Sequence, residues 1–215
     1  MNNFMREPFN GLSHLFGAVL GVIALIAMVM KGVTLGASPL TITALILFGV
    51  SMILLYSSSA IYHMIIAKDH VIHMLRRLDH SMIYLLIAGT YAPFCLIALK
   101  GTTGYVLFTM ISLMAFFGIL FKMIWFNCPR WISTVLYIGM GWIIVFLAAP
   151  LAEILGTQGL FFLILGGIFY TIGGVIYGLK PNISFIQKLG FHEIFHIFIL
   201  LGTLSHFICV FAYVI

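Results

Sequence analysis

The chain has 215 residues, 63% of them hydrophobic and 7% charged, where a soluble domain carries about 25% charged residues. That composition excludes a water-soluble globular protein and calls for a polytopic membrane protein. Ten Lys and Arg against five Asp and Glu leave a formal net charge of +5. The basic residues are spread over short segments, which argues against a nucleic-acid partner and for topology and contact with anionic membrane lipids.

In chain order, the runs free of Asp, Glu, Lys and Arg cover 8–30, 32–67, 80–99, 101–121, 131–152, 154–179 and 194–215. A spanning helix needs about 20 apolar residues, so each run can supply one. The second opens on Gly36-Ala-Ser-Pro39, a turn signal that defers its helix to about Thr41–His63. The expected fold is therefore all-α, a seven-transmembrane helix bundle forming a single domain over 1–215. The alternating segments of about ten residues that build an outer-membrane barrel are absent. The first run is too long for a signal peptide and lacks its small-residue cleavage site. Gly17-x3-Gly21 and Gly174-x3-Gly178 are small-residue patterns that let helices approach closely. Cys95, Cys128 and Cys209 show no pairing spacing and read as packing residues.

Orientation follows from the basic residues. Seven helices in order put Arg6, Lys68, Arg76, Arg77, Lys122, Arg130, Lys180 and Lys188 on one side and only Lys31 and Lys100 on the other. Positive charge favours the inner face, so the N-terminus is expected in the cytoplasm and Ile215 outside, in the inner (plasma) membrane.

That order brings polar residues together. Ser59 and His63 fall at the cytoplasmic end of the second helix and Asp79 at the cytoplasmic start of the third. His192 and His196 occupy the first turns of the seventh. Each of Ser59/His63 and His192/His196 is spaced by four and so shares a helix face. Ionisable groups within a bilayer are functional candidates by default. Three imidazoles could hold zinc (Zn²⁺) and leave a fourth position for water, the open coordination of catalytic sites. Asp79 would then serve as base or orient a ligand imidazole, and Ser59 could donate to a substrate oxygen. The plainer alternative is that these histidines are interfacial or hydrogen-bonded between helices.

His192-Glu-Ile-Phe-His196 also matches H-E-x-x-H, the helical zinc signature of metalloproteases. There Glu193 would be the base, yet it lies about 100° round the helix from His192 and near the water interface. An intramembrane protease would need Asp79, in Leu78-Asp-His-Ser81, as its third ligand. The protease is the weaker reading.

Ser59-Ala-Ile-Tyr-His63, the segment from Arg77-Leu-Asp79 to Tyr91-Ala-Pro93, and His192-Glu-Ile-Phe-His196 together resemble the hemolysin III family. This is the bacterial branch of the progestin and adipoQ receptor (PAQR) family, related to the alkaline ceramidases. Glu7-Pro-Phe-Asn10-Gly-Leu-Ser-His14 resembles that family's opening segment, except that Pro8 stands where a second acid is expected and Ser13 where Thr is commoner. The resemblance implies seven helices and zinc on His63, His192 and His196, with Ser59 and Asp79 beside its water. It leaves the role of Glu7 open.

The other polar residues have smaller expected roles. Asn10 and His14 could buttress the site from the first helix. His206 is ten residues beyond His196, about 15 Å along the helix, and is expected to hydrogen-bond within the bundle. His70 and His73 read as solvated, and His80 points away from the Asp79 side. Glu153 reads as exposed at the outer end of the fifth helix, and Trp125, Trp131 and Trp142 as helix-end aromatics. The function expected from residues and resemblance is a zinc-dependent hydrolase of lipid amides or esters in membrane lipid homeostasis. The alternatives are a non-catalytic sensor with structural zinc, and a cytolysin, as the family name suggests.

Overall fold

A chain in lipid must satisfy its backbone hydrogen bonds internally, and the apolar runs do so as helices. The computed structural model describes residues 4–181 and 189–215; Lys188, one of the eight basic residues counted above, lies outside them. In chain order the helices are α1 (Pro8–Thr34), α2 (Pro39–Met64), α3 (Asp69–Pro93), α4 (Gly101–Ile124), α5 (Arg130–Trp142), α6 (Ala148–Leu179) and α7 (Phe191–Cys209). No strand occurs among the described residues.

Local chemistry sets the helix ends. α2 starts at Pro39, slightly ahead of the expected Thr41, because proline suits the first helical position and Ser38 accepts the Thr41 N–H at 3.2 Å. α3 ends on Pro93, which lacks an N–H, and the chain rewinds into a π-helix over Phe94–Leu99. A second π-turn, Val210–Val214, follows α7.

Among the described residues six stretches are long and apolar enough to cross a membrane, and Arg130–Leu179, with 50 residues, counts as one of them. At ~1.5 Å per residue, fifty residues would reach about 75 Å, more than twice the ~30 Å hydrocarbon core. The stretch is not straight. It passes through a 3₁₀ segment, Ile143–Leu147, and then Gly156, whose φ of 68° is left-handed. On either side of that glycine the arms lie together. Trp142 Nε1 donates to Thr171 Oγ1 at 2.8 Å, Gly174 faces Ile138 and Gly178 faces Thr134. These pairs mirror one another about residue 156, as in an antiparallel hairpin. The expected break at Glu153 falls short of that glycine. An acid interrupts an apolar run, but the positive φ is what glycine supplies at a turn, and exposed Glu153 sits in the first turns of α6.

α1 packs on α2, α2 on α3, and α6 on α7. Met28, Leu45, Phe48, Tyr56 and Phe94 are all but sealed from the surface. The glycine patterns serve this packing: Gly17 meets Tyr56 and Leu200, and Gly21 meets Ile53. All three cysteines are buried and free.

Candidate metal centre

The last turn of α2 and the first turns of α1, α3 and α7 share one end of the bundle. There the nitrogen donors of His63, His192 and His196 lie within 4.8 Å of one another. The three ring centroids are 4.8–4.9 Å apart. His63 and His196 are buried and His192 is half-buried. The structure therefore brings together the three histidines that the sequence singles out.

Glu7, whose role the sequence left open, holds the first of them. His63 Nδ1 lies 2.7 Å from Glu7 Oε2. The same carboxylate accepts from Asn10 Nδ2 at 3.1 Å and pairs with Arg6 at 3.4 Å. The hydrogen bond from His63 is the main reason the Glu7 carboxyl is held down at about 2; partial burial opposes it, and Asn10 and Arg6 assist. A carboxylate so firmly ionised keeps the His63 proton on Nδ1 and turns the lone pair of Nε2 toward the other imidazoles. His63 Nε2 is buried and has no hydrogen-bond partner.

Backbone pairing delivers Glu7 to this position. Its N–H donates to His63 O at 2.9 Å, and Arg6 N–H reaches Met64 O at 3.4 Å. Arg6 Nη2 donates to Tyr62 O at 2.7 Å while the guanidinium lies over the Tyr62 ring. Residues 6–7 thus strap across the end of α2.

His14 is drawn in more closely than a buttress needs. Its ring stacks on His196 with centroids 3.6 Å apart and planes 11° apart, and both its ring nitrogens are buried without a partner. Ser13 Oγ donates to Asn10 O and lies 3.4 Å from His196 Nδ1. Ser59 and Asp79 are buried, and Ser59 Oγ has no hydrogen-bond partner. Glu193 stands apart, its carboxylate folded back over Gly190. His70 and His73 are exposed, as expected. His206 hydrogen-bonds Leu163 O at 3.1 Å inside the bundle.

Ser59, Asp79, His14, His192 and His196 open on a cavity of about 130 Å³ that runs along the bundle to Phe94, Leu163, Tyr170 and His206. Its walls between these ends are mostly apolar, with Leu86, Ile87 and Ile138 among them. His80 reaches the same cavity, its ring set against Phe126 and Tyr177.

The arrangement defines a helical membrane protein in which three converging imidazoles, at the mouth of an apolar cavity, could hold a metal. The family profile described as haemolysin-III related matches residues 2–207. The chain is 40% identical to Hemolysin-3 of Bacillus cereus, over all of this chain and 95% of that protein. It is 38% identical to a Hemolysin-3 homolog of Bacillus subtilis, over 99% of this chain and 96% of that protein. The human monocyte to macrophage differentiation factor, of the PAQR family, is 26% identical over 78% of this chain and 68% of its own length. The chain belongs to the hemolysin III family.

Proposed function

We propose that this protein is a zinc-dependent hydrolase that cleaves an amide or ester bond of a membrane lipid and works in membrane lipid homeostasis. The observation that carries the reading is the orphaned Nε2 of His63, buried beside two further imidazoles while Glu7 fixes the opposite nitrogen. A buried polar atom without a partner is rare and asks for a ligand. Three neutral nitrogen donors with a carboxylate behind one of them fit Zn²⁺. His63, His192 and His196 would hold the ion, which when bound supplies Lewis-acid activation of a carbonyl and of water.

The chain's own residues supply the rest. The Asp79 carboxylate accepts a proton as the nucleophile attacks and returns it to the leaving group. Ser59 Oγ, free of other partners, donates to the substrate oxygen. The apolar cavity takes the lipid chain and keeps bulk water from the reacting bond. The test is Asp79→Asn, which keeps shape and hydrogen bonding but cannot take a proton. Zinc content should stay at that of the wild type while lipid turnover falls by about 10²–10⁴-fold. Full turnover with full zinc would end the hydrolase reading.

The same proposal includes seven crossings, with the N-terminus in the cytoplasm and the protein in the plasma membrane. The mirrored arms of 130–179 and the eight-to-two charge bias favour it. In intact cells an impermeant thiol reagent should label a cysteine added after Ile215 and miss one placed at Lys68.

A second reading, structural zinc in a non-catalytic sensor, has one observation in its favour. His14, with both nitrogens unpartnered against His196, could complete a four-imidazole shell. Loss of zinc in His14→Ala with no measurable lipid turnover by the wild type would favour it. Cytolysis, suggested by the names of the Bacillus relatives, would on the hydrolase reading follow from altered lipids rather than from a pore.

A further inference from the structure

A second polar cluster stands at the same end of the bundle, on the opposite side of His80 from the histidines. It is built of cations. Arg76 and Arg77 of α3 and Lys122 of α4 converge on one ring, Phe126, at 5.1, 5.8 and 5.7 Å from its centroid. Arg130, at the start of α5, lies over Tyr177 and Phe191. Lys122 is 3% exposed, and its ammonium donates only to the Cys128 thiol at 3.4 Å. Arg130 Nη1 is buried with no hydrogen-bond partner. Arg77 reaches Met123 O at 3.4 Å.

None of these four cations makes an ion pair among the described residues. Residues 1–3 and 182–188 contain no acid. Of the five acids in the chain, Glu7 is committed to His63 and Arg6, Glu193 folds over Gly190, and Glu153 lies beside the Gly156 turn at the far end of the bundle. Asp69 opens α3 two turns before Arg76, and Asp79 faces the cavity. Like charges gathered around one ring repel, and a buried ammonium is costly without an anion.

We infer that Arg76, Arg77, Lys122 and Arg130 form a binding site for the phosphate group of an anionic phospholipid headgroup. The charge calls for an anion, and guanidinium forks match phosphate oxygens in geometry. Position selects the source. The cluster joins the first turns of α3 and α5 to the last turn of α4, at the depth where a bilayer carries its phosphates, and basic pockets between transmembrane helices are a common seat for such headgroups. The site also adjoins the cavity, since His80 packs against Phe126 and Tyr177, and Tyr177 against His192. A lipid held here by its phosphate has an apolar path beside it. The inference rests on the cations alone and stands whether or not the histidine centre is catalytic.

The experiment is native mass spectrometry of the purified full chain, titrated in mixed micelles with phosphatidylglycerol, with phosphatidylcholine, or with inorganic phosphate. Phosphatidylglycerol should add in preference to phosphatidylcholine with one saturable site. Arg76→Gln and Arg130→Gln should each weaken it about fivefold. Lys68→Gln, at the same end of the bundle but outside the cluster, should leave it unchanged. The half-buried Arg76 carries the test if Arg130→Gln fails to fold. Equal uptake of both lipids, or unchanged affinity in Arg76→Gln and Arg130→Gln, overturns the site. Saturation by inorganic phosphate with no preference for phosphatidylglycerol overturns the lipid assignment.

Discussion

The bundle holds two buried polar networks on α7, two to three turns apart, and they are built in opposite ways. The deeper one is nearly closed. Tyr56 OH donates to Thr203 Oγ1 at 2.6 Å, Tyr170 OH lies 2.8 Å from the same oxygen, and His206 Nε2 meets Leu163 O. It ties α2, α6 and α7 together and leaves one ring nitrogen, His206 Nδ1, buried without a partner. The network at the helix ends is open. His63 Nε2, Ser59 Oγ and both nitrogens of His14 are buried with nothing to bond. Since native structures satisfy nearly all buried polar groups, the largely satisfied network reads as architecture and the open one, with four unpartnered atoms, as the candidate site. A histidine in a membrane helix is therefore ambiguous by itself; its partners decide.

The comparison breaks most easily at His63. His63→Ala should remove most of the bound zinc, measured as metal per purified chain, because two imidazoles from a single helix then remain. Tyr56→Phe, in the closed network, should leave zinc unchanged. Equal metal in both variants would erase the distinction between the networks. Glu7→Ala probes the carboxylate behind the ligand. Removing such a partner typically weakens metal binding by about 10–100-fold, which chelator competition would read, while Glu193→Gln should keep wild-type affinity. The smallest effect is expected from the closed network itself. Tyr56→Phe loses one buried hydrogen bond and should lower stability by about 1 kcal/mol, seen as a modest drop in thermal midpoint with metal retained.

What could be read beforehand depended on which physics was local. Helical runs are long enough to recognise, and charge bias orders them, so His63, His192 and His196 could be set at one depth without coordinates. Spacings of four then put each pair on a face. Glu7 was beyond that reasoning because it precedes α1, and its reach depends on the strap from Arg6 and Glu7 to His63 and Met64, a pairing with no periodic signature. His14 showed its depth but not its stacking on His196, which depends on how closely α1 approaches α7. The hairpin around Gly156 failed for a different reason: hydropathy registers charge at Glu153, whereas the chain turns on a backbone angle. The basic residues around Phe126 read as topology and a general contact with anionic lipids but not as one cluster, because cations counted as loop charges carry no information about the ring they share.

The strap over α2 has a practical side. Two backbone hydrogen bonds, one arginine and the side chains of His63 and Asn10 keep Glu7 in place, and a pull applied ahead of Arg6 would load these contacts first. The far end is anchored differently, with the Lys31 ammonium of α1 against the Phe211 carbonyl and ring. An affinity handle joined ahead of Arg6 would pull on the carboxylate that orients His63, whereas one joined after Ile215 would hang from the opposite end of the bundle. Preparations of this protein that differ only in where the handle sits should differ in how much metal they carry.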